Sequence, residues 1–170
     1  MGFGESLEDF AKRSHADRDV VFEHSLAVVA DAIGMPIERF EGHGEIALTR
    51  SATKLHQTTI AAGTIGGQRY TLTGYSNGAP AFQFRCNWFV TNDLEPAWDL
   101  RDDGWLVTVD GDTPLEIAIR FPIPEDPAER QLVLPRLTAH RPVNAIEAVC
   151  AARPGILTTV DLPQIISRLG

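Results

Sequence analysis

The stretch "TTIAAGTIGGQRYTLTGYSNGAPAFQFRCNWF", residues 58–89, carries the signals that decide the fold. Threonine, isoleucine and tyrosine alternate with other residues before Asn77-Gly78, and large apolar residues alternate with polar ones after it. Alternation with a period of two and β-branched residues favour strands. Asn-Gly is a strong signal for a two-residue hairpin turn. The stretch therefore predicts two antiparallel strands that are joined at Asn77-Gly78.

The glycines of "GTIGG", residues 63–67, raise the alternative of a phosphate-binding loop. Such a loop follows a strand and opens a helix, so that the amides of the helix N-terminus face the anion. Here the next residues, "QRYTLTGY", have a strand pattern, and neither G-x-G-x-x-G nor G-x-x-x-x-G-K-[ST] occurs. We therefore interpret these glycines as a bend between two strands, where a positive φ is accessible without a Cβ.

The second half of the stretch places a row of large aromatic residues at alternate positions. Phe82, Phe84 and Trp88 share one face of the predicted strand. Three interpretations are open: the row belongs to the core, it forms the wall of an apolar substrate pocket, or it is a face that pairs with another subunit.

Helical and strand patterns flank this stretch on both sides. Apolar residues at helical spacing predict a helix over residues 17–33, which begins at an aspartate N-cap and ends at Gly34. Alternation predicts further strands within residues 37–53 and a hairpin within residues 105–121.

A second helix is predicted over residues 129–152, ahead of Pro154-Gly155. Because proline removes a helical hydrogen bond, we expect Pro135, Pro142 or both to mark a break or a first turn. The order of helix, strands and helix predicts an α+β fold. We expect an open, mostly antiparallel sheet of five to seven strands with helices on one face, in a single domain over residues 1–170.

Composition and charge exclude several classes of function. The formal net charge of −8 opposes binding to the phosphate backbone of nucleic acids. No apolar run approaches the ~18 residues of a membrane helix, and the N-terminus has no basic and apolar regions typical of a secretory signal. We therefore expect a cytoplasmic protein in which Cys86 and Cys150, which lack C-x-x-C spacing, are reduced thiols.

Thr138, His140 and Asn144 are the candidate substrate-binding residues. His140 and Asn144 are four positions apart, so a continuous helix places them on one face, and Thr138 precedes them where that helix is expected to begin. Such a trio can hydrogen-bond a substrate carboxylate, an amine or a cofactor amide. The alternative is structural: His140 braces a local turn and Asn144 ties down a neighbouring loop.

No other constellation identifies chemistry. His43 and His56 have no partner at ligand spacing, so we expect no metal site. An acidic loop around Trp98 contains Glu95, Asp99, Asp102 and Asp103, and it is either a cation or amine site or a solvated loop that Trp98 anchors. The chain contains no G-x-S-x-G or H-E-x-x-H motif, and no catalytic residue is identified.

Three segments in this order carry a family resemblance: "AAGTIGGQRYTLTGYSNGAPAF", "DLEPAW…GWLVTVDGDTPL" and "TAHRPVNAIEAVCAARPGILTTVDLPQI". They resemble the C-terminal domain of the dihydrodipicolinate-reductase-like dehydrogenases. That group includes 2,4-diaminopentanoate dehydrogenase and the native NAD(P)-dependent amine dehydrogenases. The resemblance runs from about Gly2 to Leu162, and "VNAIEAVCAARPGI…DLP" is its most specific part.

The resemblance implies a division of labour between two domains. A Rossmann domain binds NAD or NADP, and an α+β domain closes over the substrate and forms the dimer interface through its sheet. The Rossmann half is absent from these 170 residues, so we expect no cofactor binding by this chain alone. Thr138, His140 and Asn144 match the stretch that approaches the cleft in similar proteins.

The implied function is that of a C-terminal substrate-binding and dimerisation domain of an NAD(P)-dependent oxidoreductase. It would act on the C–N bond of amines or imines, would bind a small amine or carbonyl ligand, would form a homodimer through its sheet, and would not be active alone. The alternative is a free-standing small-ligand-binding or dimerisation module without catalysis.

Overall fold

The computed structural model describes residues 1–12, 18–55, 58–100, 104–158 and 160–165. They belong to two compact units, Met1–Arg101 and Asp102–Gly170. The expectation of one substrate-binding and dimerisation domain over the whole chain stays a prediction.

The elements of the first unit are α1 (Leu7–Ala11), α2 (Arg18–Ala32), β1 (Arg39–Thr49), β2 (Thr53–Lys54), β3 (Thr59–Ile60), β4 (Ile65–Ser76), β5 (Ala79–Phe89) and β6 (Leu94–Glu95). Those of the second unit are β7 (Trp105–Val109), β8 (Leu115–Ile119) and α3 (Pro127–Ala151).

The main sheet of the first unit is antiparallel and has the strand order β5-β4-β1-β6. This confirms the α+β class with an antiparallel sheet. The main sheet has four strands, because the remaining described strands pair with each other in two small sheets, β2-β3 and β7-β8.

The hairpin between β4 and β5 turns at Asn77-Gly78, as predicted. Both turn residues have positive φ, 51° for Asn77 and 74° for Gly78, which is the backbone of a type I′ turn. The two turn amides donate hydrogen bonds of 2.9 and 3.2 Å to the carboxylate of Glu38. The turn chemistry therefore joins β4 and β5 as an antiparallel hairpin, in which the register shifts once, between Gly74 and Tyr75.

One face of the main sheet is covered by α2. Phe22 of α2 lies 5.1 Å from Phe84, 5.7 Å from Tyr70 and 6.3 Å from Trp88, measured between ring centroids. The buried residues of this cluster are Leu26, Tyr70 and Leu72, with Phe22, Phe40, Phe82, Phe84 and Trp88 packed against them. The aromatic row is therefore core, which is the first of the three interpretations.

The helix predicted over residues 17–33 is present as α2, but its buried face is narrower than the apolar pattern indicated. Leu26 and Ala30 are buried, and Phe22 is half-buried one turn earlier. Val28 and Ile33 remain exposed. Residues four apart share a helix face, so contact with a flat sheet buries only this one stripe.

The glycines of residues 63–67 have two different structural roles. Gly63 has a φ of 76° and forms the bend before β4. Gly66 and Gly67 lie inside β4, where a Cβ would come within 2.4 Å of Thr49 Cγ2 and 2.7 Å of Trp98 Cζ3, respectively. A strand follows these glycines, so the geometry of a phosphate-binding helix N-terminus is not formed here.

Candidate functional site

The candidate site residues lie on α3, in the second unit. The helix begins at Pro127, and the Asp126 side chain caps it by accepting hydrogen bonds from the amides of Ala128 (3.0 Å) and Glu129 (2.9 Å). Proline at the first helical position loses no intrahelical hydrogen bond. A capping aspartate followed by proline thus explains why the helix begins before residue 129.

The expected break at Pro135 or Pro142 is not observed, because α3 continues through both. Both prolines are exposed and are seven positions apart, so they share one side of the helix. Each leaves the carbonyl four residues earlier without its helical donor, and water can supply that hydrogen bond on an exposed side. The expectation that the helix begins near Thr138 was wrong, because α3 begins at Pro127 and continues through Pro135.

His140 and Asn144 lie one turn apart on the same face of α3, and both are half-buried. Thr138 is exposed and precedes His140 by two positions, about 200° around the helix. The structure therefore groups His140 with Asn144 and leaves Thr138 on a different side.

The position of His140 argues against its structural interpretation. It lies in the interior of a continuous helix, so it braces no turn. Within the described residues, the His140 imidazole also has no hydrogen-bond partner. A half-buried imidazole and an adjacent amide can each donate and accept hydrogen bonds, which suits a small ligand with an amine, imine or carbonyl group.

An apolar stripe flanks this polar pair. Leu132, Val143 and Ile146 are between 58% and 62% exposed, and they lie within about 60° of one another around the helix axis. Large side chains that remain so exposed on one face of a helix indicate a surface that another element covers.

A second polar cluster lies in the first unit, on the face of the main sheet opposite to α2. Arg69 of β4 lies between Glu45 of β1 and Asn87 of β5 in the strand register. Its Nε donates a 2.8 Å hydrogen bond to Asn87 Oδ1, and its guanidinium stacks over the Trp98 ring with 4.5 Å between Cζ and the ring centroid. The sequence patterns did not identify this cluster, although Asn87 alternates with the aromatic row of β5.

Trp98 anchors the loop that follows β6, as one of the two interpretations predicted. Its ring packs against the Cα of Gly67, so the contact requires glycine at that position. Trp98 Nε1 is the buried side-chain polar atom without a partner within the described residues. Asp99 is exposed.

Among the described residues, no cluster of histidine, cysteine, aspartate or glutamate has the size and spacing of a metal site. His43 is exposed on β1, and His56 lies outside the described residues. Burial raises the pKa of the Cys86 thiol, which makes this side chain a poor nucleophile. Within the same part of the chain, no helix has both the length and the apolar character needed to cross a bilayer.

The fold is α+β, with an antiparallel main sheet in the first unit and the pair His140 and Asn144 on α3 of the second. The chain matches the family model of the 2,4-diaminopentanoate dehydrogenase C-terminal domain over residues 1–169 and belongs to that family. The resemblance inferred from the sequence is thereby confirmed.

A solved structure is consistent with this assignment. The amine dehydrogenase from Mycobacterium smegmatis superimposes with a TM-score of 0.69 at 19% sequence identity, over 97% of this chain and 45% of that chain. This likeness shows the fold, and this chain spans less than half the length of that enzyme. Comparison with curated protein sequences gives no match.

Proposed function

We propose that this chain is the substrate-binding part of an NAD(P)-dependent oxidoreductase that acts on the C–N bond of amines or imines, and that it is not active alone. The observation that carries the proposal is the half-buried pair His140 and Asn144 on a continuous α3. Family membership supports an oxidoreductase context, because the family is named for a dehydrogenase of a diamino acid.

Each residue of the pair has a distinct role in this proposal. The Asn144 carbonyl oxygen accepts a hydrogen bond from the substrate nitrogen, and a His140 ring nitrogen donates to or accepts from the same group, depending on whether it is an imine or an amine. Thr138 lies on a different side of α3 and is not part of the proposed pair. NAD or NADP would supply or accept the hydride, held by residues other than those described here.

Ligand titration of three variants tests this role. We expect 2,4-diaminopentanoate or cyclohexylamine to shift NMR signals of His140 and Asn144, and we expect His140→Ala or Asn144→Ala to weaken binding about tenfold, as for the loss of one good hydrogen bond. His24→Ala is the matched control, because His24 is exposed on α2. Unchanged affinity in His140→Ala, or unfolding of this variant, would contradict the proposal.

A dimerisation role, which the oxidoreductase domain shares with the alternative of a free-standing small-ligand-binding or dimerisation module without catalysis, is supported by a specific surface of the second unit. The β7-β8 register places Trp105, Val107 and Val109 on the same face as Ile119, Ile117 and Leu115. All six side chains are between 41% and 68% exposed. We call this surface the hairpin face.

The size and chemistry of the hairpin face suit a second copy of this chain. It carries no charge, so the net charge of −8 on each copy is kept away from the contact. The apolar area that six such side chains expose is comparable to that of the largest apolar patch on a typical monomer, about 300–600 Å². A two-fold contact would then bury about 1,000 Å² in total, near the lower limit for a specific interface.

The homodimer therefore rests on the hairpin face and not on the aromatic row, which α2 already covers. Sedimentation at tens of micromolar should show a dimer for the wild type and a monomer for Val107→Lys. Leu106→Lys is the matched control, because Leu106 is exposed on the other face of the same hairpin. A wild-type monomer would refute the dimer and leave the amine-binding role untouched.

A cytoplasmic location belongs to the same proposal. Cys86 and Cys150 are both free thiols, and a reducing compartment maintains thiols in this state.

A further inference from the structure

Arg69 is a largely buried cation whose hydrogen-bonding capacity is mostly unused. Its side chain is 13% exposed, and a guanidinium has five N–H donors. Nε is bonded to Asn87, while Nη1 lies 3.9 Å from Glu45 Oε2, which is beyond hydrogen-bond range. Within the described residues, four donors of Arg69 therefore lack an acceptor.

The unused donors of Arg69 remain accessible. Within the described residues, the fully buried side-chain polar atoms without a hydrogen-bond partner include Trp98 Nε1 but not the Nη atoms of Arg69. Because these Nη atoms make no hydrogen bond, they must be in contact with solvent. Stacking on Trp98 and the bond to Asn87 hold the guanidinium in one orientation. A fixed, partly desolvated fork of donors is the arrangement that binds carboxylates in two parallel hydrogen bonds.

A second arginine lies beside it on the neighbouring strand. Arg85 is paired with Thr71, and Arg69 with Asn87, so the two arginines are diagonal neighbours on one face of the sheet. Diagonal positions are about 7–8 Å apart, and one small anion can bridge two long side chains over this distance. The hydrogen bonds that Arg85 makes within the described residues are long, 3.4 Å each, to Thr71 Oγ1 and Gln83 Oε1.

We propose that Arg69 and Arg85 bind the carboxylate of a small molecule above Thr71, on the face of the main sheet opposite to α2. Arg69 donates from its Nη atoms and Arg85 from its guanidinium. Glu45 at the edge of the site adds a negative charge, so the site takes a monoanion rather than a dianion such as phosphate. This site belongs to the first unit and does not depend on the proposed amine function of α3.

The Trp98 indole N–H is the natural reporter of this site. The chain has three tryptophans, and Trp98→Phe identifies the Trp98 signal in a ¹⁵N–¹H correlation spectrum. Titration with acetate at constant ionic strength, balanced by chloride, should shift this signal saturably in the millimolar range. Acetamide, which has the same shape without the charge, should not shift it.

Variants of the arginines and of Glu45 should change the affinity for acetate in opposite directions. Arg69→Gln should weaken acetate binding at least tenfold and Arg69→Lys by less, because a charge without the planar fork remains. Arg85→Gln should weaken it by about threefold, and Glu45→Gln should tighten it by about threefold, since a nearby like charge is removed. Arg50→Gln is the charge-matched control, because Arg50 is exposed and paired with Glu95.

Retained binding in Arg69→Gln, equal shifts with chloride or acetamide, or weaker binding in Glu45→Gln would overturn the proposal. Unchanged signals of the other two indoles show that a variant is folded. If Arg69→Gln unfolds, the signs of the effects of Arg69→Lys and Glu45→Gln still decide the question.

Discussion

The contact between Gly67 and Trp98 gives the most specific prediction about the fold. In Gly67→Ala, the new Cβ would lie 2.7 Å from Trp98 Cζ3 and 2.9 Å from Leu94 Cδ1. Real Cβ atoms do not approach other carbons so closely, so Trp98 or the backbone of β4 must move. Either movement disturbs the loop after β6 and the stacking of Arg69 on Trp98.

The expected magnitude follows from two opposing terms. Overpacking a well-ordered site costs about 1–3 kcal/mol, and replacing glycine by alanine in a strand recovers about 0.5–1 kcal/mol of conformational entropy. We therefore expect a net loss of about 1–2 kcal/mol in the free energy of unfolding. With an m-value of about 2 kcal/mol/M, the urea midpoint falls by about 0.5–1 M.

Urea unfolding of four variants separates this contact from a general effect of alanine. Gly44→Ala in β1 is the matched control, because its Cβ would meet nothing within 4 Å, and it should be neutral or slightly stabilising. Trp98→Val should cancel most of the loss caused by Gly67→Ala in the double variant. A Gly67→Ala protein as stable as Gly44→Ala, or no rescue in the double variant, would refute the reasoning.

Three further predictions concern single side chains. Asp126→Ala removes the cap of α3 and should lower stability by about 1 kcal/mol in thermal unfolding; no change would contradict the cap. The Tyr75 hydroxyl donates to Glu41 and holds the pKa of that carboxyl below its usual range. This hydrogen bond therefore stabilises the folded state at any pH above the pKa that Glu41 has in the unfolded chain, and the stabilisation is lost as the pH falls through the lower pKa of Glu41 in the folded protein. Tyr75→Phe should raise the Glu41 pKa in an NMR titration, and an unchanged pKa would contradict this role of Tyr75. Iodoacetamide should alkylate exposed Cys150 before Cys86, whose pKa burial raises; mass spectrometry reporting the reverse order would exclude this.

Local signals predicted the parts of the fold that depend on neighbouring residues. Asn77-Gly78 fixed the hairpin because only a few residue types adopt two successive positive φ values. The alternation of Phe82, Phe84 and Trp88 identified a core face because the side-chain period of a strand is two.

Features that depend on distant residues could not be predicted. The number of strands in the main sheet was overestimated, because a strand pattern does not say which strand it pairs with. The contact of Arg69 with Trp98 joins residues of β4 and of a loop beyond β6, so no spacing reveals it. Pro135 and Pro142 suggested a break because proline removes a helical hydrogen bond. Both prolines are tolerated in α3 because they are exposed, and their exposure depends on the fold and cannot be read from neighbouring residues.

We propose above all that this chain holds an amine ligand at His140 and Asn144 but depends on other residues for the nucleotide cofactor. Calorimetric titration of the purified 170-residue chain with cyclohexylamine and then with NADPH tests it most directly. We expect saturable amine binding that His140→Ala weakens about tenfold, together with no heat of binding for NADPH. Tight NADPH binding by the chain alone, or amine binding that is indifferent to His140→Ala, would contradict the claim.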